Sequence, residues 1–275
     1  MRPALRLVVV SLSLLVPNGD AFGDKPMVPG REALLPEAGD LQAPTSLLLA
    51  TGFEASEGFV LGPVEPQLGW VATGINSPWA SISTVHPAVG AQHLRLGLDS
   101  TAPWGSTRIA LSPPAVLPSN TPSQFKALVY ITNDLGADYD FVGQSLSEGL
   151  MTWRVKFSRA GVSGFGRGTI FIVDHIEAEI GFYSTGVLWT PGTYVELKVQ
   201  HDPSTEEIRY FYGGALIYRS RIWGGTAVEQ IAMSHDNRQL FEEYAGVDAI
   251  TLLDTASDPT PARNESWGAL KSLYR

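Results

Sequence analysis

The chain has 275 residues, 44% hydrophobic and 17% charged, with 28 acidic against 19 basic side chains and a net charge of −9. That apolar share builds a sizeable core and excludes a chain disordered throughout, and the acidic balance argues against nucleic acid or anionic lipid as a partner. No cysteine is present, which excludes disulfides, thiolate metal sites and lipid attachment through cysteine.

Residues 1–21 begin with Arg2 and Arg6, followed by an apolar run from Leu7 to Val16, then Pro17 and small residues. This is the pattern of a secretory signal peptide, with Ala21 or Gly23 able to stand just before the cut. The run is too short to span a bilayer, which needs about 20 residues, and no later segment is long and apolar enough. Removing residues 1–21, with Arg2, Arg6 and Asp20, takes the net charge from −9 to −10. The expected location is extracellular, with periplasm or cell surface as alternatives. The absence of cysteine suits a bacterial exported protein. Residues 22–47 hold Pro26, Pro29, Pro36 and Pro44 with little periodicity, and read as a linker or extended arm.

Residues 48–256 carry many short β patterns separated by turn residues. FKALVYI (125–131) is apolar on both faces, as for a strand buried in the middle of a sandwich. MTWRVKFS (151–158) alternates, with Met151, Trp153, Val155 and Phe157 on one face. IEAEIGFY (176–183) alternates too, with Ile176, Ala178, Ile180 and Phe182 inward. YVELKV (194–199) runs into the turn HDPSTEE, and IRYFY starts a returning strand. On that strand Ile208, Tyr210 and Tyr212 share one face and Arg209 and Phe211 the other, before a Gly213–Gly214 turn. GVDAITLLD (246–254) closes the series. No amphipathic helix longer than three turns and no internal repeat interrupts it, so the expectation is an all-β antiparallel sandwich or barrel. Residues 257–275 read as a polar linker and short tail with Trp267, Leu270 and Leu273 at helix-like spacing, either docked or disordered.

Several stretches resemble the concanavalin A-like lectin/glucanase superfamily, particularly its laminin-G-like branch. These are GFEASEGFVLGPVEPQLGW (52–70), VHPAVGAQHLRLGL (85–98), WTPGTYVELKVQHDPSTEEIRYFYGGALIY (189–218) and YAGVDAITLLD (244–254). Each is degenerate, and the order is what carries the resemblance. It implies a jelly roll, an antiparallel two-sheet β-sandwich in one domain. The superfamily includes lectins, adhesion modules, glycosidases and lyases, so fold leaves function open.

The glycosidases of this fold carry E-x-D-x-x-E on a strand. Asp174 and Glu177 have the D-x-x-E spacing, but Ile172 stands where the first glutamate would be. Glu177 and Glu179 therefore read as solvated or ion-paired, with Arg154 and Lys156 as candidates. Jelly-roll lyases need a His or Tyr near the acidic carbon and an Arg with Gln or Asn for the carboxylate. Gln92, His93 and Arg95 offer the right types, as do Gln200 and His201 with Tyr210 and Tyr212; the family's R-x-E-x-R strand is absent. No G-x-S-x-G or H-E-x-x-H occurs, and GVSGFGRG (161–168) reads as a hairpin loop between strands.

Two candidate sites remain. Asn133, Asp134, Asp138 and Asp140 gather hard oxygen ligands after a strand, which suits Ca²⁺, with a solvated turn as the alternative. Trp79, Trp104 and Trp223 stand beside Gly, Pro or Ser in loops and are candidates to stack on sugar rings, together with Tyr210 and Tyr212; the alternative is core packing. The leading expectation is a secreted, non-catalytic module binding a polysaccharide or a cell-surface glycan or protein. The alternatives are a polysaccharide-active lyase or glycosidase and a structural envelope or matrix component.

Overall fold

A computed structural model describes residues 46–74, 78–160, 167–176, 179–239 and 242–255. The expected signal peptide, the bulk of the linker and the tail lie outside the described residues, as do Glu177 and most of the glycine-rich loop.

The strands are β1 (Ser46–Thr51), β2 (Gly62–Pro63), β3 (Val71–Ala72), β4 (Ala80–Ser83), β5 (His93–Gly97), β6 (Arg108–Leu111), β7 (Ser123–Ile131) and β8 (Tyr139–Ser145). They continue with β9 (Leu150–Phe157), β10 (Thr169–Ile176), β11 (Glu179–Leu188), β12 (Val195–Asp202), β13 (Glu207–Tyr212), β14 (Ala215–Arg221), β15 (Gln230–His235) and β16 (Tyr244–Asp254). A nine-stranded sheet runs β14-β13-β12-β7-β16-β5-β4-β2, and a seven-stranded sheet runs β11-β10-β9-β8-β15-β6-β3. One edge of β16 is shared: β5 pairs with its first half and β1 with its second. Every pairing is antiparallel. The fold is therefore the two-sheet antiparallel β-sandwich that the short alternating strands imply. No helix among the described residues is long and apolar enough to cross a membrane.

Alternation fills the space between the sheets. The first sheet sends in Phe125, Ala127, Val129 and Ile131 from β7, Leu197 and Val199 from β12, and Val247 and Leu252 from β16. The second sends in Tyr139 and Phe141, Trp153, Val155 and Phe157, and Ile170 and Ile172. Trp153 lies against the backbone at Gly143, where a side chain would overlap its indole.

Two expectations change. β7 is fully buried on its inner face only: Lys126, Leu128 and Tyr130 point the other way and are half-buried. The second is IEAEIGFY, which is not one strand. The chain reverses within it, and Ile176 pairs with Glu179 across the β10–β11 hairpin. Ile180 is consequently exposed, and Phe182 faces outward beneath the Arg154 and Lys156 cations, 4.9 Å from its ring centre in each case. Period-2 alternation continues across a tight hairpin, so pattern alone does not reveal the reversal.

Candidate functional site

The outward face of the nine-stranded sheet carries a cross-strand row built by register. Ser81 stands opposite Arg95, Arg95 opposite Gly246, and Gly246 opposite Tyr130. Tyr194, just before β12, continues the row. Alternation explains the choice of residues, since Leu94, Leu96, Val129 and Val247 take the inner face and leave their neighbours outside.

The rings meet around Tyr130. Its centroid lies 5.2 Å from that of Tyr194 and 5.5 Å from that of Tyr244. His86 stacks on it at 6.4 Å with an interplanar angle of 13°. Tyr130 and Tyr194 are half-buried, His86 is exposed and Tyr244 is buried. The Arg95 guanidinium lies over the Tyr244 ring, 4.8 Å from its centroid. Gly246 makes the floor, since a Cβ there would meet Tyr194 Oη at 2.6 Å and His93 Nδ1 at 2.7 Å. With no side chain in the way, Tyr194 Oη comes within 2.7 Å of His93 Nδ1.

A loop, residues 84–92, borders this face and is pinned at two points. Asp248 Oδ2 accepts the Ala88 and Val89 amides at 2.9 and 3.0 Å. Glu54 Oε1 accepts those of Ala91 and Gln92 at 2.8 and 3.1 Å. The loop thereby holds His86 over Tyr130.

Electrostatics keeps the pair beneath the rings neutral. Burial lowers the His93 pKa to about 4, helped by the Arg95 charge and opposed by a hydrogen bond with the Val85 backbone. Burial raises that of Tyr194, and the Asp248 carboxylate adds to the effect. His93 is fully buried, so it reaches a ligand only through Tyr194. Such a face can stack sugar rings on tyrosine and offer a guanidinium and hydroxyls to polar groups.

The tryptophans and tyrosines singled out from sequence lie elsewhere. Trp79 is 1% exposed, packs edge-on against His235 at 5.0 Å, and donates its indole N–H to the Thr73 carbonyl. Tyr210 is wholly buried beside Tyr218. Neither offers a face to a ligand: alternation turns Tyr210 toward the core, and Trp79, in the turn before β4, folds its indole inward. Tyr212 is half-buried against Phe157, and its hydroxyl accepts the Thr190 amide. Trp223 is half-buried and donates to the Val173 carbonyl at 3.1 Å. Trp104 is 63% exposed, alone among the five in presenting most of its surface.

The three aspartates expected at a calcium site are engaged separately. Asp134 Oδ2 accepts the Gly168 amide at 2.9 Å. Asp138 pairs with Lys156 at 3.0 Å and accepts the Arg159 amide at 2.8 Å. Asp140 pairs with Arg154 at 2.8 Å. Among the described residues no three carboxylates or histidines gather as a metal site. Asp174 takes the Tyr218 hydroxyl at 3.0 Å.

His93 and Arg95 are visible in the sequence as lyase-type residues, but their partners are not. Alternation in FKALVYI and YVELKV places Tyr130 and Tyr194 opposite the core faces of their strands. That β16 brings Tyr244 and Gly246 between them is a matter of long-range register.

No family model matches the sequence, and no curated protein matches it. Among solved structures, the chain is similar to the binding domain of Paraclostridial Mosquitocidal Protein 1, with a TM-score of 0.49 and 11% identity over 77% of this chain and 49% of that one. It is similar to a sialidase, with a TM-score of 0.48 and 10% identity over 68% of this chain and 17% of that one. A carbohydrate-binding module, CBM66 from Bacillus subtilis, gives a TM-score of 0.39 and 7% identity over 68% of this chain and 96% of that one. The chain thus spans about half of the toxin domain and a smaller share of the sialidase. All three scores fall below 0.5, and the β-sandwich assignment stands on the strand pairing itself.

Proposed function

We propose that this protein is a glycan-binding β-sandwich module whose ligand face is the outward surface of the nine-stranded sheet. The observation that carries this is the set of rings around Tyr130, with Tyr194 and Tyr244 beside it and His86 stacked on it. Aromatic rings with polar tips, Tyr130 and Tyr244 on paired strands, Tyr194 at the start of β12 and His86 in a loop pinned by Asp248 and Glu54, give a stacking surface that loses little entropy on binding. The secretory start in residues 1–21 belongs to the same proposal, since it would bring the module to polysaccharide outside the cell.

The rival reading, a polysaccharide-active enzyme, draws on the Tyr194–His93 pair beside Arg95. Two features favour binding over catalysis. Tyr194 holds its proton more tightly than a free tyrosine does, which makes it a poor base at neutral pH, and His93 is sealed beneath it.

Glycan-array binding with wild-type protein and Tyr130→Ala tests the proposal. The expected result is retention of particular glycans by the wild type and loss in the variant, with unchanged far-ultraviolet dichroism. Equal binding by both proteins removes this face from consideration, and product release from a bound polysaccharide establishes the enzyme instead.

A further inference from the structure

We propose that the outward face of the seven-stranded sheet is a second binding surface, a trough that takes a short neutral oligosaccharide lying across the strands. It is a different surface from the tyrosine face and stands or falls separately from it.

Register builds the trough. Alternation sends Tyr139, Phe141, Trp153, Val155 and Met233 into the core, so their chain neighbours on β8, β9 and β15 point outward. Arg154 stands opposite Val142, Val142 opposite Ala232, Ala232 opposite Leu111, and Leu111 opposite Val71. This middle row is an apolar stripe with a guanidinium at one end. One flanking row sets Lys156, Asp140 and Ser234 side by side, and the other sets Gln144 beside Gln230. Asp140 and Gln144 are four residues apart on β8, about 13 Å. The face is therefore apolar along its middle and polar along both margins.

The face is also recessed. Ala232 and Val142 are 3% and 7% exposed although they point away from the core, and Asp140, Gln144, Gln230 and Ser234 are buried as well. On the outward face of the other sheet, Lys126, Leu128 and Tyr130 are only half-buried. Exposure rises to 48% at Val71, where the stripe reaches the edge of the sheet. Hydrogen-bonding capacity remains in the trough. Among the described residues no side-chain hydrogen bond engages Gln144 or Ser234, and Arg154 holds Asp140 through Nε alone.

The charges on this face answer one another, with Arg154 paired to Asp140 and Lys156 to Asp138. A charged ligand would have to divide one of these pairs, leaving a half-buried charge without its partner. A neutral ligand leaves both intact. A pyranose chain meets the remaining requirements: its C–H faces lie on Val142, Ala232 and Leu111, and its hydroxyls reach Gln144 on one margin and Ser234 on the other. From Val142 to Leu111 is two strand spacings, about 10 Å, so more than one sugar unit is seated. An extended peptide docks by pairing with a free sheet edge, whereas β8, β15 and β6 are each paired on both sides.

The test is an array of neutral oligosaccharides, with uronate-containing glycans and extended neutral peptides spotted beside them, probed with the full chain. Wild type and Tyr130→Ala should both retain a neutral oligosaccharide. Ala232→Phe fills the stripe and should lower the retention that persists in Tyr130→Ala by about tenfold. Gln144→Ala combined with Ser234→Ala leaves the stripe open and should lower it about fivefold, with unchanged far-ultraviolet dichroism. If these changes leave the retention by Tyr130→Ala as it was, or if Tyr130→Ala retains no neutral glycan, the trough is rejected. The tyrosine face then keeps whatever binding Tyr130→Ala alone removes. Retention of uronates or peptides in place of neutral sugars, lost in Ala232→Phe, gives the trough to another occupant and overturns the neutral oligosaccharide.

Discussion

Tyr194 reaches His93 only because residue 246 is glycine. The Tyr194 hydroxyl lies 2.7 Å from His93 Nδ1, and a methyl group at position 246 would come within 2.7 Å of both atoms. Three segments that are distant in sequence, β5, β16 and the start of β12, thus set one hydrogen bond. Gly246→Ala should displace Tyr194 and cost about 1–3 kcal/mol, the usual range for overpacking a filled site. A fall in the urea midpoint at unchanged slope is the expected readout. An unaltered midpoint would mean that the two rings are not held where the structure places them.

Tyr194→Phe removes the hydroxyl and keeps the ring. His93 Nδ1 then loses its partner in a buried setting, which costs about 1–3 kcal/mol. Ring stacking on a glycan should survive, since the aromatic face remains. A variant that keeps full stability but loses all binding would instead assign the hydroxyl to the ligand.

Three histidines should make the protein acid-sensitive. Burial lowers the pKa of His93 and His201 to about 4, and that of His235 to about 3. The unfolded chain protonates near 6.5, so between there and about 4 it binds more protons than the native state. The histidine contribution is complete above pH 6.5 and is lost as pH falls toward 4. Asp236 and Asp248 have raised pKa values, chiefly from burial, and oppose part of this loss. The urea midpoint should therefore fall between pH 6.5 and 4, and His201→Gln should flatten the slope. A midpoint that stays level or rises on acidification contradicts the buried neutral histidines.

Trp79 and Trp104 separate core from surface. Trp79→Ala empties a buried site against His235 and should cost about 3–5 kcal/mol. Trp104→Ala, at an exposed position, should change stability by no more than about 0.5 kcal/mol. Thermal or urea unfolding of the two variants checks this, and comparable losses from both would place Trp104 in a packed contact.

Asp138 and Asp140 should behave as partners of cations rather than as metal ligands. Asp140→Ala leaves the Arg154 guanidinium without its carboxylate in a largely buried position, at a cost of about 3–5 kcal/mol. Millimolar Ca²⁺ should leave the melting temperature of the wild type unchanged, because Lys156, Arg154 and the Arg159 amide already hold these oxygens, and the Gly168 amide holds Asp134. An upward shift that Asp138→Ala abolishes would restore the calcium site.

Much of the fold is legible along the chain, because alternation is a local property. In YVELKV it puts Leu197 and Val199 inside and Tyr194 and Lys198 outside without reference to any other strand. The same local logic should have turned Tyr210 inward, since it shares a face with Ile208, and both are wholly buried. It fails at residues 176–183, where the period runs through a hairpin. It is also silent on Trp79, whose Pro and Ser neighbours look like those of an exposed loop while its indole fills the core.

The sequence by itself determined the class of the protein: a cysteine-free, acidic chain of short alternating strands that buries one face of each. The tertiary structure alone decided which outward faces adjoin. β16 lies between β5 and β7, though about 150 residues separate it from one and more than 100 from the other in the chain. That placement brings Arg95, Gly246 and Tyr130 into one row, and a shift of one residue would have turned Tyr244 and Arg95 away from each other. Register between distant strands is set by the packing of the whole sandwich, so no local window of sequence contains it.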